Sequence, residues 1–389
     1  MNNYKEVMTD ANVLYESRLE ARKASAWKRE TMKCDLDYLS VIARKQKELK
    51  DEVYTKSKSH EFFINERGRP RQVTSTDIAS RIVRHALCDN ILVPELTKKI
   101  IYNSGASIKQ RGTDFQRKRF EIDLRNFYRD NGSNEGHIAL IDFSKFYDNI
   151  LHKKLYEDVT NVLDDDYISW LFYKILKDFR IDVSSLSPAE RKYYKTNTIN
   201  LLEYRKQGYE KLGLYYLNKS LNIGDQTSQI SGNFYAHKID NYIKIVRGHK
   251  GYGRYCDDMY IIDKDREKLK ETLQGVYKIA KEYVIHINES KTKIVKLSST
   301  FKFLKVRYRM TDSGKIIKKI DPKKITKQKR KLRKLKIKLE NGEIDYKSVE
   351  NYFKSWFGAH KKYMTKKQRR ELLNLYNELF IDDWRYKYG

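Results

Sequence analysis

Tyr255-Cys256-Asp257-Asp258, set within Gly251-Tyr-Gly-Arg-Tyr-Cys-Asp-Asp-Met-Tyr-Ile-Ile-Asp263, places two adjacent carboxylates before the β-prone run Met259-Tyr-Ile-Ile262. The pattern predicts strand, tight turn, strand, with the acids at the turn. Hard cations such as Mg²⁺ take oxygen ligands and are commonly held by one or two carboxylates plus substrate phosphates. Alone, an Asp-Asp pair at a hairpin tip reads as a solvated turn. The rest of the chain changes that reading.

Working outward, His137-Ile-Ala-Leu-Ile-Asp142 is a near-continuous apolar run ending in an acid. It reads as a buried strand with Asp142 at its end, as helix cap or as rigidly held metal ligand. Tyr147 follows, and a helix opens near His152. Residues 155–220 read as mainly helical. In Ser220-Leu-Asn-Ile-Gly-Asp-Gln-Thr-Ser-Gln229, Gly224 allows close approach of the backbone, and Thr227, Ser228 and Gln229 open a helix. Two metals about 3.5–4 Å apart, held by such carboxylates, would activate a 3′-hydroxyl and stabilise a leaving pyrophosphate. Phosphoryl transfer asks the protein mainly for positioning and charge.

The 389 residues carry a net charge of +29, which points to polyanion partners, nucleic acid before anionic membrane. Thirty tyrosines interleaved with Lys and Arg suit backbone neutralisation with base stacking. Cys34, Cys88 and Cys256 have no metal-ligand spacing and suggest a reducing cytoplasm without disulfides. The first residues show no signal-peptide pattern, and no apolar run reaches the roughly 18 residues of a membrane span.

Residues 1–55 predict a basic helical extension, with Leu36, Leu39, Ile42 and Ala43 as its clearest apolar set. Phe62-Phe-Ile64 and Gln72-Val-Thr74 predict two strands about a turn at Gly68 and Pro70. Arginines there suit a triphosphate, because the guanidinium fork matches phosphate oxygens. A helix is expected over 78–92, with Ile82, Val83, Ala86 and Leu87 inward. A basic glycine-bearing loop, 104–113, carries Lys109 and Arg111 and leads into a basic helix over 114–130. After the Asp257 hairpin come a helix over 264–284, short strands at 284–287 and 294–295, one strand over 300–308 and a hairpin at Gly314. Residues 323–338 form a Lys/Arg run read as a nucleic-acid clamp through Lys327, Arg330, Lys331, Arg333 and Lys334. The tail, 348–388, has the spacing of a small helical domain.

These motifs, in this order, resemble a bacterial reverse transcriptase. Ile141-Asp-Phe-Ser-Lys-Phe-Tyr-Asp-Asn-Ile150 resembles polymerase motif A, Ile223-Gly-Asp-Gln-Thr-Ser-Gln229 motif B, and Tyr255-Cys-Asp-Asp258 motif C. Lys291-Thr-Lys293 resembles motif D, and Phe301-Lys-Phe-Leu304 motif E, the primer grip. Gly68-Arg-Pro-Arg-Gln-Val73 and 107–113 look like finger motifs. The resemblance implies an α+β right-hand polymerase: fingers over 56–135, palm over 136–300 with an antiparallel sheet, helices on one side and a helical insertion at about 155–220, primer-grip hairpin over 301–320, and helical thumb over 321–389.

It also implies roles. Asp142, Asp257 and the Phe143 carbonyl would bind two Mg²⁺, with Asp258 in support and Mn²⁺ as a substitute. Tyr147 would be the steric gate under the sugar. Arg69 and Arg71 would contact the incoming triphosphate, with Gly224 and Gln226 also at the nucleotide. Lys291 would donate a proton to pyrophosphate. Template and primer contacts would come from Lys109, Arg111, Ser228, Gln229, Tyr255, Phe303, Leu304 and the basic run.

The motif B form, the helix 80–87 and Ser355-Trp-Phe-Gly-Ala-His360 look like diversity-generating retroelement enzymes and related phage-defence enzymes. Ile230-Ser-Gly-Asn233 stands where Phe-Ala-Asn is usual, and Lys305 where motif E usually has Gly. These departures put the defence group ahead. The expected partners are a structured noncoding RNA template, dNTPs and cDNA, without a membrane, and with a homo-oligomer or an accessory protein encoded nearby. The alternatives are a diversity-generating enzyme making mutagenised cDNA, and a non-catalytic RNA-binding scaffold or intron-maturase-like protein.

Overall fold

The computed structural model describes residues 3–381 apart from 24, 67 and 68. Gly68 of the expected finger turn, the tail beyond 381 and the side chain of Arg69 lie outside the described residues.

The chain divides into two units, the first comprising Met1–Phe120, Ala139–Ile262 and Arg266–Lys293, the second Glu121–Ile138, Asp263–Asp265 and Ile294–Gly389. In the first, four short helices precede a hairpin of Ser59–Glu66 and Arg69–Thr76, paired with Phe62 opposite Val73. The expected apolar set of the N-terminal extension is corrected. Asp37 breaks the helix between Arg29–Leu36 and Tyr38–Lys50, so Leu36 and Leu39 never share a face and are 89% and 69% exposed. Met8, Leu14, Ala21, Cys34, Ile42 and Leu49 are the extension's buried apolar residues among those described. The helix expected over 78–92 is Ile78–Leu87, buried through Ile82, Val83, Ala86 and Leu87, and it continues as a wider turn over Cys88–Leu92.

The central sheet runs in the order Gly251–Tyr255, Asp258–Asp263, His137–Ser144, His286–Ile287. The first two strands form an antiparallel hairpin with Tyr255 opposite Asp258, leaving Cys256 and Asp257 as its two-residue turn. Ile138, Ala139, Leu140 and Ile141 are all buried, as a central strand covered on both faces requires. The helix Gln226–Tyr235 packs with eight of its ten residues buried and starts at Asp225, which accepts from the Thr227 and Ser228 amides.

The insertion holds more than helices. Ile181–Asp182 pairs with Tyr216–Leu217, and Ile181, Val183, Leu186, Ile199, Leu201 and Leu217 enclose a small core of their own. Asn149 fastens it to the turn after Tyr147, donating to the Ile199 carbonyl and accepting from its amide.

In the second unit, the single strand expected over 300–308 is instead a hairpin. Phe301–Phe303 pairs with Val306–Met310 about a turn at Leu304 and Lys305, whose φ values are 43° and 68°. Two left-handed central residues are the tight-hairpin geometry that glycine or asparagine usually signals, and neither is present. Ile316–Ile320 completes this three-stranded sheet. Three helices follow, Pro322–Glu340, Tyr346–His360 and Lys366–Phe380, with Leu332, Val349, Phe353, Leu372, Tyr376 and Phe380 among their buried residues. Among the described residues no helix is long and apolar enough to cross a membrane. All three cysteines are free thiols.

Candidate active site

The sheet order brings the two acid sites side by side. The Phe143 amide donates to the Asp257 carbonyl at 3.2 Å, so the end of the His137–Ser144 strand lies against the hairpin turn. Asp142 is held from the other side, its carbonyl accepting from the Asn288 amide at 2.7 Å and its Oδ2 from Lys291 Nζ at 2.6 Å. Burial raises the proton affinity of the Asp257 carboxyl, and the charge of Asp142 raises it further. Lys291 and Arg71 oppose this, so both cations act on the same carboxylate. Asp258 opens the following strand beside this turn.

Cys256 has φ 54°, in the left-handed region that disfavours side chains. A buried arginine braces this turn. Arg254, fully buried, donates to the Cys256 carbonyl at 3.1 Å, to Asp240 through Nε at 2.9 Å and Nη2 at 2.6 Å, and to the side chain and carbonyl of Asn233. Tyr252 donates to the same Asp240, and Asn233 accepts from Ser104 and donates to the Ala106 carbonyl. The network joins the motif C strand, the Gln226–Tyr235 helix and the 104–106 loop. Its members escaped sequence reading because an arginine in a chain of net charge +29 reads as solvated.

Tyr147 lies beside this turn. Its hydroxyl lies close to Cys256, and burial pushes it well above the ordinary phenol range. Burial also pushes the Cys256 thiol up to about 11, with the charge of Asp257 adding to it.

The other predicted residues separate into several groups. Arg71 is exposed and within electrostatic reach of Asp257. Gly224, φ 104°, sits under Val73, and the Ile223 carbonyl accepts from the Thr74 amide, so motif B is tied to the finger strand. Gln226 donates to Asp89, and Lys109 pairs with the same carboxylate at 3.5 Å. With Arg111 and Gln229 they line a cavity of about 300 Å³. Arg111 donates to the Tyr102 and Ser104 carbonyls and lies over Tyr102 and Phe115. Tyr255 is half-buried and Gln229 exposed. Ser228 is 1% exposed, so its side chain faces the core. Phe303 and Leu304 are likewise buried, which leaves any outward contact of that turn to its backbone and to Lys305. Lys327, Arg330, Lys331, Arg333 and Lys334 are all exposed on the Pro322–Glu340 helix, away from the buried Ile325, Gln328, Leu332 and Leu335.

A second buried arginine steadies the start of motif B. Arg84 pairs with Asp178 at 2.8 Å and with Asp225, the cap of the Gln226–Tyr235 helix, and lies over Phe179.

Among the described residues no cluster of three or more His, Cys, Asp and Glu side chains is arranged to hold a metal by itself. The donor set fits the other mode, in which two carboxylates share a divalent ion with substrate phosphates. The mutual repulsion of Asp142 and Asp257 is the electrostatic signature such an ion would relieve.

The strand-end acid, the acid-bearing hairpin turn and the Gln226–Tyr235 helix thus converge on one place. The family model Reverse transcriptase (RNA-dependent DNA polymerase) matches residues 56–308, and the chain belongs to that family. Its fold is α+β, of the right-hand polymerase kind. Solved structures similar to it include telomerase from Candida albicans with a TWJ fragment of telomeric RNA, at 13% identity and TM-score 0.47, over 85% of this chain and 60% of that one. Apo telomerase from Candida tropicalis truncated from its C-terminal domain matches at 13% and 0.43, over 68% and 55%. Apo telomerase from Candida tropicalis matches at 10% and 0.46, over 66% and 47%. The chain thus spans between about half and three fifths of the length of these structures. No curated protein matches it.

Proposed function

We propose that the chain copies an associated, structured noncoding RNA into cDNA from dNTPs at the Asp142–Asp257 cluster, as part of bacterial anti-phage defence. The observation that carries the chemistry is the juxtaposition of two strand-end carboxylates with Lys291 and Arg71. In this reading Asp142, Asp257 and the Phe143 carbonyl hold two Mg²⁺, with Asp258 in support. Bound there, the ions would ease deprotonation of the primer 3′-hydroxyl and neutralise charge gathering on the pyrophosphate.

The chain's own groups do the rest. Arg71 binds the triphosphate through its planar fork. Lys291 orients Asp142 and holds a proton for the departing pyrophosphate. Tyr147 lies under the sugar and excludes a 2′-hydroxyl. The exposed cations of the Pro322–Glu340 helix grip the duplex backbone without reading sequence. Residues 56–135 act as fingers, 136–300 as palm, 301–320 as primer grip and 321–389 as thumb. The departures Ile230-Ser-Gly-Asn233 and Lys305 support the defence assignment over the diversity-generating one.

The test is to purify the chain with its flanking locus and sequence both the bound RNA and the DNA made with Mg²⁺ and dNTPs. A faithful or repetitive cDNA from one small RNA is expected. A cDNA mutated at template adenines would move the chain to the diversity-generating enzymes. No DNA from a folded, metal-replete preparation would leave the scaffold reading. Asp257→Ala should abolish incorporation while leaving the melting temperature near that of wild type, and full activity in that variant would end the polymerase assignment.

A further inference from the structure

Gly232 lies on the Gln226–Tyr235 helix and faces the ring of Tyr147. A Cβ built there would sit 2.8 Å from Cε1, 3.0 Å from Cζ and 3.1 Å from the hydroxyl oxygen. Real side chains essentially never tolerate the first of these distances, so any residue larger than glycine must move the ring. The far end of the ring meets the hairpin turn, where the Tyr147 hydroxyl lies close to Cys256. Cys256 in turn sits in the turn that carries Asp257. Phe146, at 5.6 Å in an edge-to-face contact, flanks the ring at its base. The ring is therefore seated in a notch whose floor is the missing side chain of Gly232 and whose end stop is Cys256.

We propose that Gly232 is a positioning residue that sets how deeply the Tyr147 ring is withdrawn toward its helix, and so how strictly the site separates deoxynucleotides from ribonucleotides. This rests on the reading of Tyr147 as the gate under the sugar. With glycine, the ring lies back against the helix and leaves room at the sugar. With alanine, it is pushed off the helix toward its open edge. Both nucleotides then bind less well, and the ribonucleotide loses more because its 2′-hydroxyl meets the ring first. Packing displacements of this size in a filled site are felt at the level of a single methyl group.

The experiment compares wild type, Gly232→Ala, Tyr147→Leu and the double variant. Extension is followed with dTTP or UTP on primed poly(rA), or with the four nucleotides of each kind on the RNA that copurifies with the chain. Gly232→Ala should raise KM for the deoxynucleotide about three- to tenfold with kcat within about twofold, and raise the deoxy-over-ribo preference at least about threefold. In the Tyr147→Leu background the same alanine should change the preference by less than about twofold, since the ring it pushes on is gone.

A merely structural glycine would lower activity toward both nucleotides equally. A folded Gly232→Ala with unchanged preference overturns the proposal. So does a crystal structure of that variant with the ring in its wild-type place. If Gly232→Ala does not fold, Tyr147→Leu should rescue it, and an unfolded double variant also overturns the proposal. A Tyr147→Leu enzyme that discriminates as wild type does would instead remove the gate reading itself, so the two failures are distinguishable.

Discussion

Two hairpins in this chain use two-residue turns with left-handed backbone, at Cys256 in one and at Leu304 and Lys305 in the other, and they are held in different ways. At Cys256-Asp257 the turn rests on a buried polar network, with Arg254 donating to the Cys256 carbonyl while neutralising Asp240. At Leu304-Lys305 the turn packs through the buried Phe303 and Leu304, and its exposed Lys305 carbonyl accepts from the flexible Lys324 side chain at 3.1 Å. Both carry left-handed, non-glycine residues. The difference teaches where strain is useful. A polar brace fixes direction as well as position, because each hydrogen bond has a preferred angle. Apolar packing fixes position and tolerates small rotations. The turn that carries the Asp257 carboxylate has the directional support.

Breaking the polar brace should have the larger effect. Arg254→Leu leaves Asp240 buried without its cation and should cost about 3–5 kcal/mol, read as a fall in the denaturant midpoint. Arg254→Lys restores the charge but not the fork, so it should recover part of the stability and little of the nucleotide incorporation. If Arg254→Lys matches wild type in incorporation, the directional argument fails.

Exchanging the strained residue for glycine should separate the two turns. Cys256→Gly relieves the left-handed backbone by about 1 kcal/mol but removes the side chain against which the Tyr147 ring ends. Its melting temperature should hold or rise while its deoxy-over-ribo preference drops about threefold or more. Lys305→Gly relieves the same kind of strain with no such loss, and should stabilise by about 0.5–1 kcal/mol. Equal outcomes for the two glycines would erase the distinction.

The smallest effect tests a third, plainly structural site against both turns. His152 is buried with Nε2 on the Ser220 carbonyl at 2.7 Å, and burial holds its pKa down at about 4. The unfolded chain takes up this proton near its ordinary value of about 6.5, so the folded state is the poorer proton binder between the two. The stability contribution is complete above about 6.5 and is lost as pH falls toward 4, with a slope of about 1.4 kcal/mol per pH unit over that window. His152→Gln should flatten that slope in acid melts without altering nucleotide preference at neutral pH.

Much of this was readable from residues. The apolar run ending at Asp142, the hairpin around Asp257 and the helix after Gly224 are local patterns, and local patterns survive folding. What escaped was nonlocal or mismatched. Arg254 belongs with Asp240 and Asn233 through side-chain geometry that spacing does not encode. The Leu304-Lys305 turn was hidden because its left-handed residues are not the ones that normally announce such a turn. The strands Ile181–Asp182 and Tyr216–Leu217 are two residues each, too short to show a period. Leu36 and Leu39 have helical spacing across a break at Asp37, so their periodicity was accidental.

The insertion between the acid sites has a practical consequence. It closes a core of its own, and its loop passes Gly208 and Gly213, both with φ 73°. A reporter dye or short affinity peptide spliced between those glycines would extend a segment that supplies none of the residues around Asp142 and Asp257. The chain therefore offers an internal handle for watching single molecules, placed where lengthening it leaves the Asp142–Asp257 cluster its original spacing.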